Sequence, residues 1–270
     1  MRLLSLSHSP LSRLPYVAPD GSRALTHHHL EILHGEVDAL PATLDAVFCT
    51  SDLQGRIAPN GVLLGEALAA HLIELSATGV LPAPGRMGAI LCGDLYARPM
   101  LERRGGNGDV RPVWKAFARA FHWVAGVAGN HDHFGASPRD LERFSREPGI
   151  HFLDGQCVEI DTLRIGGVSG IVGNARRPFR RDAQNHACLV KELLEKRPDM
   201  LVLHEGPPEQ NDATGKGNLT VREALESGPP TFCCFGHKHW NPPFENLPNR
   251  TTLLNVDARV VVLRVSNRTR

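Results

Sequence analysis

The chain has almost no net charge. Thirty Lys and Arg face 29 Asp and Glu among 270 residues, leaving a formal +1. So small an excess exerts no global pull on nucleic acid or on an acidic membrane, and anion recognition has to be local. Long hydrophobic runs are also missing: no segment approaches the roughly 20 apolar residues that a membrane-spanning helix needs. The N-terminal MRLLSLSHSP lacks a long apolar stretch and a small-residue cleavage site, so it does not read as a secretory leader. The six cysteines, at 49, 92, 157, 188, 233 and 234, form no C-x-x-C pair. Several lie inside apolar runs, which predicts reduced core thiols and a cytoplasmic protein. Cys233 and Cys234 are adjacent and should face opposite sides of a strand. Internal repeats and low-complexity tracts are absent. With 41% apolar residues, the length suits one large domain or two small ones.

Residues 1–44 read as an N-terminal extension or edge elements, and 45–265 as the main domain. From residue 45 the pattern is regular. Short apolar runs at 46–49, 89–92, 123–127, 200–203 and 231–235 each end in polar residues. Helical spacing marks 62–76, 112–121 and 182–196, and Ser137-Pro138 resembles a helix start. Residues 156–169 alternate and turn at Asp161-Thr162, which predicts a hairpin. Residues 251–265 read as two strands around Asp257-Ala258. Apolar runs separated by helices imply an α/β fold with covered sheet faces. The polar strand ends should then converge, because sites in such sheets lie where the carboxyl ends meet.

Five groups of residues stand at those ends: Asp52-Leu53-Gln54, Gly93-Asp94, Gly129-Asn130-His131-Asp132, His204, and Gly236-His237-Lys238-His239. Carboxylate, imidazole and amide oxygen form a ligand set suited to Mn²⁺, Mg²⁺, Fe²⁺ or Zn²⁺. A glycine before a ligand lets the backbone pass close to an ion. Taken in order, these motifs resemble those of the calcineurin-like metallophosphoesterase superfamily over roughly residues 45–260. The resemblance implies a four-layer α/β/β/α sandwich, with two mixed sheets flanked by helices. It also implies a dinuclear metal centre. Asp52, Gln54, Asp94 and His239 would hold one ion, and Asp94, Asn130, His204 and His237 the other, with Asp94 bridging. His131 would face the phosphate and Asp132 would orient it. The implied activity is phosphoester hydrolysis by a metal-bridged hydroxide, with two divalent ions as cofactor and Mn²⁺ ahead of Mg²⁺, Fe²⁺ or Zn²⁺.

Gln54 departs from the pattern, since the family's first motif usually carries His there. An amide oxygen keeps the ligand neutral and shifts preference toward oxygen-seeking ions. Arg98 falls on the phosphate-binding arginine position of the related protein phosphatases, although Ala97 and Pro99 do not match them. His204-Glu205-Gly206-Pro207-Pro208 is similar to the form found in small phosphodiesterase-type members. Gly215 to Leu219 reads as a helix-entry turn. Arginines at 103, 104 and 111, and at 176, 177, 180 and 181 around Phe179, can hold phosphates. Among these, Arg176 and Arg177 are the substrate-contact candidates beside Arg98. The expected partner is a nucleotide-like phosphodiester or phosphomonoester, with nucleic acid less favoured. The competing readings are a non-catalytic metal-binding module, a nuclease and, last, a protein phosphatase.

Overall fold

A computed structural model describes residues 1–20, 23–210 and 217–266. The strand-forming runs divide between two sheets. The first has the order Leu3–Leu6, Leu25–Val37, Arg259–Val265, Ala46–Thr50, Met87–Leu91, Trp123–Gly126 and Ile150–Phe152, with Ser12–Pro19 also paired to Leu25–Val37. The second runs Cys157–Ile160, Leu163–Val168, Met200–Glu205, Phe232–Gly236, Thr252–Asn255 and Phe244–Asn246. Both sheets are mixed, with parallel centres and antiparallel neighbours. Apolar runs alone cannot say which sheet a strand joins. The two strands expected at 251–265 in fact part company, one in each sheet.

Three apolar clusters define four layers. Helices Leu64–Ala77 and Arg111–Ala120 press Leu68, Leu72, Trp114 and Phe117 onto Phe48, Ala89 and Val124 of the first sheet. Between the sheets, Val47, Cys49, Ile90 and Ala125 meet Val202, Phe232, Cys234 and Leu254. On the far side, Leu201, Cys233 and Phe235 pack against Val190 and Leu193 of Ala183–Glu195 and Leu225 of Leu219–Ser227. Neighbouring residues in each run thus serve different clusters, as the period of two demands. Both faces are buried, so the runs are continuously apolar rather than alternating. Cys233 and Cys234 face opposite cores as expected, and all six cysteines are free.

The hairpin at Asp161-Thr162 forms with both residues at positive φ, 51° and 69°. Residues 1–44 supply three strands to the first sheet, and Leu25–Val37 lies inside it beside Arg259–Val265. Part of the expected turn from Gly215 lies outside the described residues. Its end is visible: the Asn218 side chain accepts from the Val221 N–H at 3.2 Å and caps the helix. Among the described residues, no helix is long and apolar enough to cross a membrane.

Candidate metal centre

All five polar groups lie at carboxyl ends of strands along one edge of the sandwich. The first sheet supplies Asp52, Gln54, Asp94 and Asn130, and the second supplies His204, His237 and His239. Ligand atoms of Asp94, His204 and His237 lie within 4.8 Å of one another. His204 Nε2 is 3.6 Å from Asp94 Oδ1 and 3.3 Å from Asn130 Oδ1. The His204 Nδ1–H donates to the Cys92 carbonyl at 2.7 Å, which leaves Nε2 to face the cluster. A cavity of about 980 Å³ opens over Asp52, Gln54, Asp94, His131, His237 and His239.

Local backbone geometry explains how these side chains are aimed. Asp52, Asp94 and His237 all sit in the left-handed region, at φ 55°, 56° and 67°. Each such conformation costs an ordinary residue about 1–2 kcal/mol, and strained positions of this kind gather at functional sites. Gly129 is needed for close approach: a Cβ there would stand 2.0 Å from Asp94 Oδ1. Two polar contacts hold Asp52 Oδ2, from Ser51 Oγ at 2.7 Å and the His237 N–H at 2.8 Å.

Several expected contacts are rearranged. Asp132 does not orient the His131 ring. Its carboxylate accepts three backbone N–H groups, from Asp94 and Leu95 at 2.9 Å and from Gly129 at 2.8 Å. His131 Nδ1 instead meets Asn107 Oδ1 at 2.8 Å. Gln54 is brought to the centre, where its Nε2 donates to Asp94 Oδ2 at 2.8 Å. His239 reaches the cavity with Arg259 Nη2 against its ring, 3.0 Å from Nδ1. Arg98 and Arg176 line neither this cavity nor its neighbour, and Arg98 is paired with Glu102 at 3.1 Å. Arg177 does line the neighbouring cavity.

Sequence reasoning also passed over residues that the fold brings in. Asp257 is 5% exposed, lines the cavity, and has a buried Oδ1 with no hydrogen-bond partner. Tyr16 and His28 stack at a centroid distance of 5.3 Å on the wall. No local motif marks any of these, because their roles depend on which strands become neighbours.

The electrostatics call for a cation. Burial, then the charge of Asp257, pushes the Asp52 carboxyl up to about 8. At His204 burial opposes the charge, but Asp94 and then Asp52 outweigh it and hold the imidazolium up to about 10. Burial and the neighbouring His204 press His237 down to about 4. Buried carboxylates without enough compensating charge, one with an orphaned oxygen, fit a divalent ion chemically.

The pH dependence follows. An ion needs Asp52 ionised and His204 neutral, so its binding releases protons and strengthens with rising pH. His237 is already neutral above about 4 and does not contribute. Asp52 has a folded value above its ordinary 3.8, so ionising it penalises the folded state increasingly as pH rises toward 8. His204 acts in the same direction, since its raised value gives stability that is lost toward pH 10. Thermal melts should therefore show Mn²⁺ raising Tm more at about pH 8 than at about pH 6. An equal or smaller shift at the higher pH would contradict this account.

No curated protein is significantly similar in sequence. The solved structure of TT1561 of Thermus thermophilus superposes with a TM-score of 0.55 at 15% identity, covering 80% of this chain and 90% of that one. A hypothetical protein from the same organism aligns at 16% identity over 83% of this chain and 79% of its own, with a TM-score of 0.46. At such identities the first likeness concerns the fold alone, and the second carries no argument. Residues 46–241 match the family model of the calcineurin-like phosphoesterases. That match spans most of the chain, which belongs to the calcineurin-like phosphoesterase family, a family of metal-dependent phosphoester hydrolases.

Proposed function

We infer that the protein hydrolyses nucleotide-like phosphodiesters or phosphomonoesters at a centre for two divalent ions, with Mn²⁺ ahead of Mg²⁺, Fe²⁺ or Zn²⁺. The observation that carries this reading is the meeting of Asp94, His204 and His237 ligand atoms within 4.8 Å, drawn from both sheets. Asp94, Asn130, His204 and His237 would hold one ion; Asp52, Gln54, Asp94 and His239 would hold the other. Bound ions would neutralise phosphoryl oxygens and acidify the attacking water. The protein's own groups do the rest. His131, fixed through Nδ1 by Asn107, stands on the cavity wall where it can pass a proton to the leaving oxygen. Arg104, on the same wall, can pair with a phosphoryl oxygen. A half-turn of the Gln54 amide exchanges nitrogen for oxygen, so its reach to Asp94 serves an oxygen ligand equally well. The free, mostly buried thiols support cytoplasmic residence.

One observation favours a second reading, a single-ion centre. Arg259 already presents a guanidinium to the His239 ring, on the side where Gln54 replaces an imidazole. Metal counting on protein loaded separately with Mn²⁺, Mg²⁺, Zn²⁺ and Fe²⁺ separates the two. Turnover of p-nitrophenyl phosphate and its bis ester should be assayed on the same samples, with Gln54→His alongside. The two-ion reading expects about two ions per chain, turnover highest with Mn²⁺, and a shift of Gln54→His toward Zn²⁺ by about tenfold in relative activity. One ion per chain and an unchanged preference would favour the single-ion centre. No turnover with any ion and either ester would defeat the enzymatic reading.

A further inference from the structure

A second cavity, of about 480 Å³, adjoins the metal centre. Arg104 and His131 line both spaces, so the two cavities are neighbours with these residues between them. Their chemistry is opposite. The first holds Asp52, Asp94 and Asp257, whereas among the described residues no carboxylate lines the second. Its lining includes four arginines, Arg103, Arg104, Arg177 and Arg180, together with His131 and His133.

These four arginines come from two segments far apart in sequence. The loop before Gly108–Asp109 carries Arg103 and Arg104, and the stretch around Phe179 carries Arg177 and Arg180. Each segment also bears an arginine that is already neutralised: Arg98 pairs with Glu102 and Arg181 with Asp154. The two segments are anchored to the centre itself. Arg180 Nη1 donates to the Asn130 carbonyl at 3.2 Å, and Asn107 meets the His131 ring at 2.8 Å. Four like charges around one small space repel one another, and a bound anion relieves that repulsion. Guanidinium also forms paired hydrogen bonds with phosphate oxygens.

We propose that this arginine-lined cavity is a subsite for a second phosphate, so that the substrate is a small molecule carrying two phosphate groups, one at the metal centre and the other held by Arg103, Arg104, Arg177 and Arg180. This rests on the hydrolase reading above and narrows its substrate class. The volume lies in the range of small-molecule sites. A long polynucleotide would call for a continuous basic stripe, which a chain of net +1 does not advertise.

The test uses phosphonates, whose carbon–phosphorus bonds are not hydrolysed, so it reads binding whether or not turnover is seen. Calorimetry on the Mn²⁺-loaded full chain would compare propane- to hexane-bisphosphonates with alkylphosphonates of matching length. At least one bisphosphonate should bind about tenfold more tightly than its single-headed match. That ratio should fall close to one in the double variant Arg103→Gln with Arg177→Gln, and persist in Lys191→Gln on the exposed face of Ala183–Glu195. Equal affinities in the unmodified protein at every chain length would overturn the proposal, as would a ratio unaffected by the double variant. An oligonucleotide that binds more tightly than every bisphosphonate would also overturn it, by assigning the arginines to a polymer. Absence of phosphoester turnover would defeat the hydrolase reading, while the affinity ratio would still report on the subsite.

Discussion

Asp94→Asn is expected to lower metal-dependent phosphoester hydrolysis by about a thousandfold, roughly 4 kcal/mol of transition-state stabilisation. In the proposed two-ion centre, Asp94 is the carboxylate that both ions would share. One oxygen faces Gln54 at 2.8 Å, and the other faces His204 at 3.6 Å and accepts the His131 N–H at 3.0 Å. Asparagine keeps the size and one acceptor but removes the charge, so the fold should persist while the ion affinity falls. Burial works against the carboxylate charge, yet His204 keeps Asp94 ionised below its ordinary range. Neutralising it also removes the main support for the imidazolium. Values of kcat/KM should be read beside bound-metal content and a thermal melt. Activity within about tenfold of the unmodified protein, with two ions still bound, would show that Asp94 is not the shared ligand.

The second large effect is on stability. Asp132→Ala is expected to destabilise the metal-free protein by about 3–5 kcal/mol, because three buried N–H groups lose their acceptor at once. Each orphaned donor costs about 1–3 kcal/mol, and relief of the buried carboxylate offsets part of the sum. The offset has a clear source: burial, then the charge of Asp94, pushes the Asp132 carboxyl up to about 7. The three donors belong to two loops, so the same change should release Asp94 from its left-handed conformation and weaken metal binding. Asp132→Asn retains one acceptor oxygen and should recover part of the loss. At about 2–4 °C per kcal/mol for a chain of this size, the Ala variant should melt roughly 6–20 °C lower. A fall under about 2 °C would mean that Asp132 does not tie the loops together.

Asp132 also shows where local reading stops. In sequence it follows His131 and suggests a partner for that ring. In space the chain turns sharply after Gly129, and the carboxylate is directed back onto Asp94 and Leu95 in the neighbouring loop. The ring is left to Asn107, a residue in a loop with no motif of its own. Arg98 teaches the same point, since position suggested a phosphate clamp and Glu102, four residues on in sequence, engages it instead. Arg104, which nothing local distinguishes from Arg103, stands on the wall of both cavities.

What the sequence determined by itself was the set of elements and the ligand chemistry. Apolar runs ending in Asp52, Asp94, Asn130, His204 and His237 could be read without coordinates, because burial on both strand faces and donor type are properties of the residues in place. The tertiary structure decided everything that depends on which strands become neighbours. Pairing placed Arg259–Val265 beside Ala46–Thr50. It set Thr252–Asn255 beside Phe232–Gly236, and so carried Asp257 and Arg259 to the centre. It also brought Tyr16 and His28 to the cavity wall and gathered arginines from two distant loops around His131. The candidate metal centre can be read in short motifs because its residues stand at, or within a few positions of, strand ends. The arginine-lined cavity beside it cannot, because its side chains come from two distant segments and meet only in the folded chain.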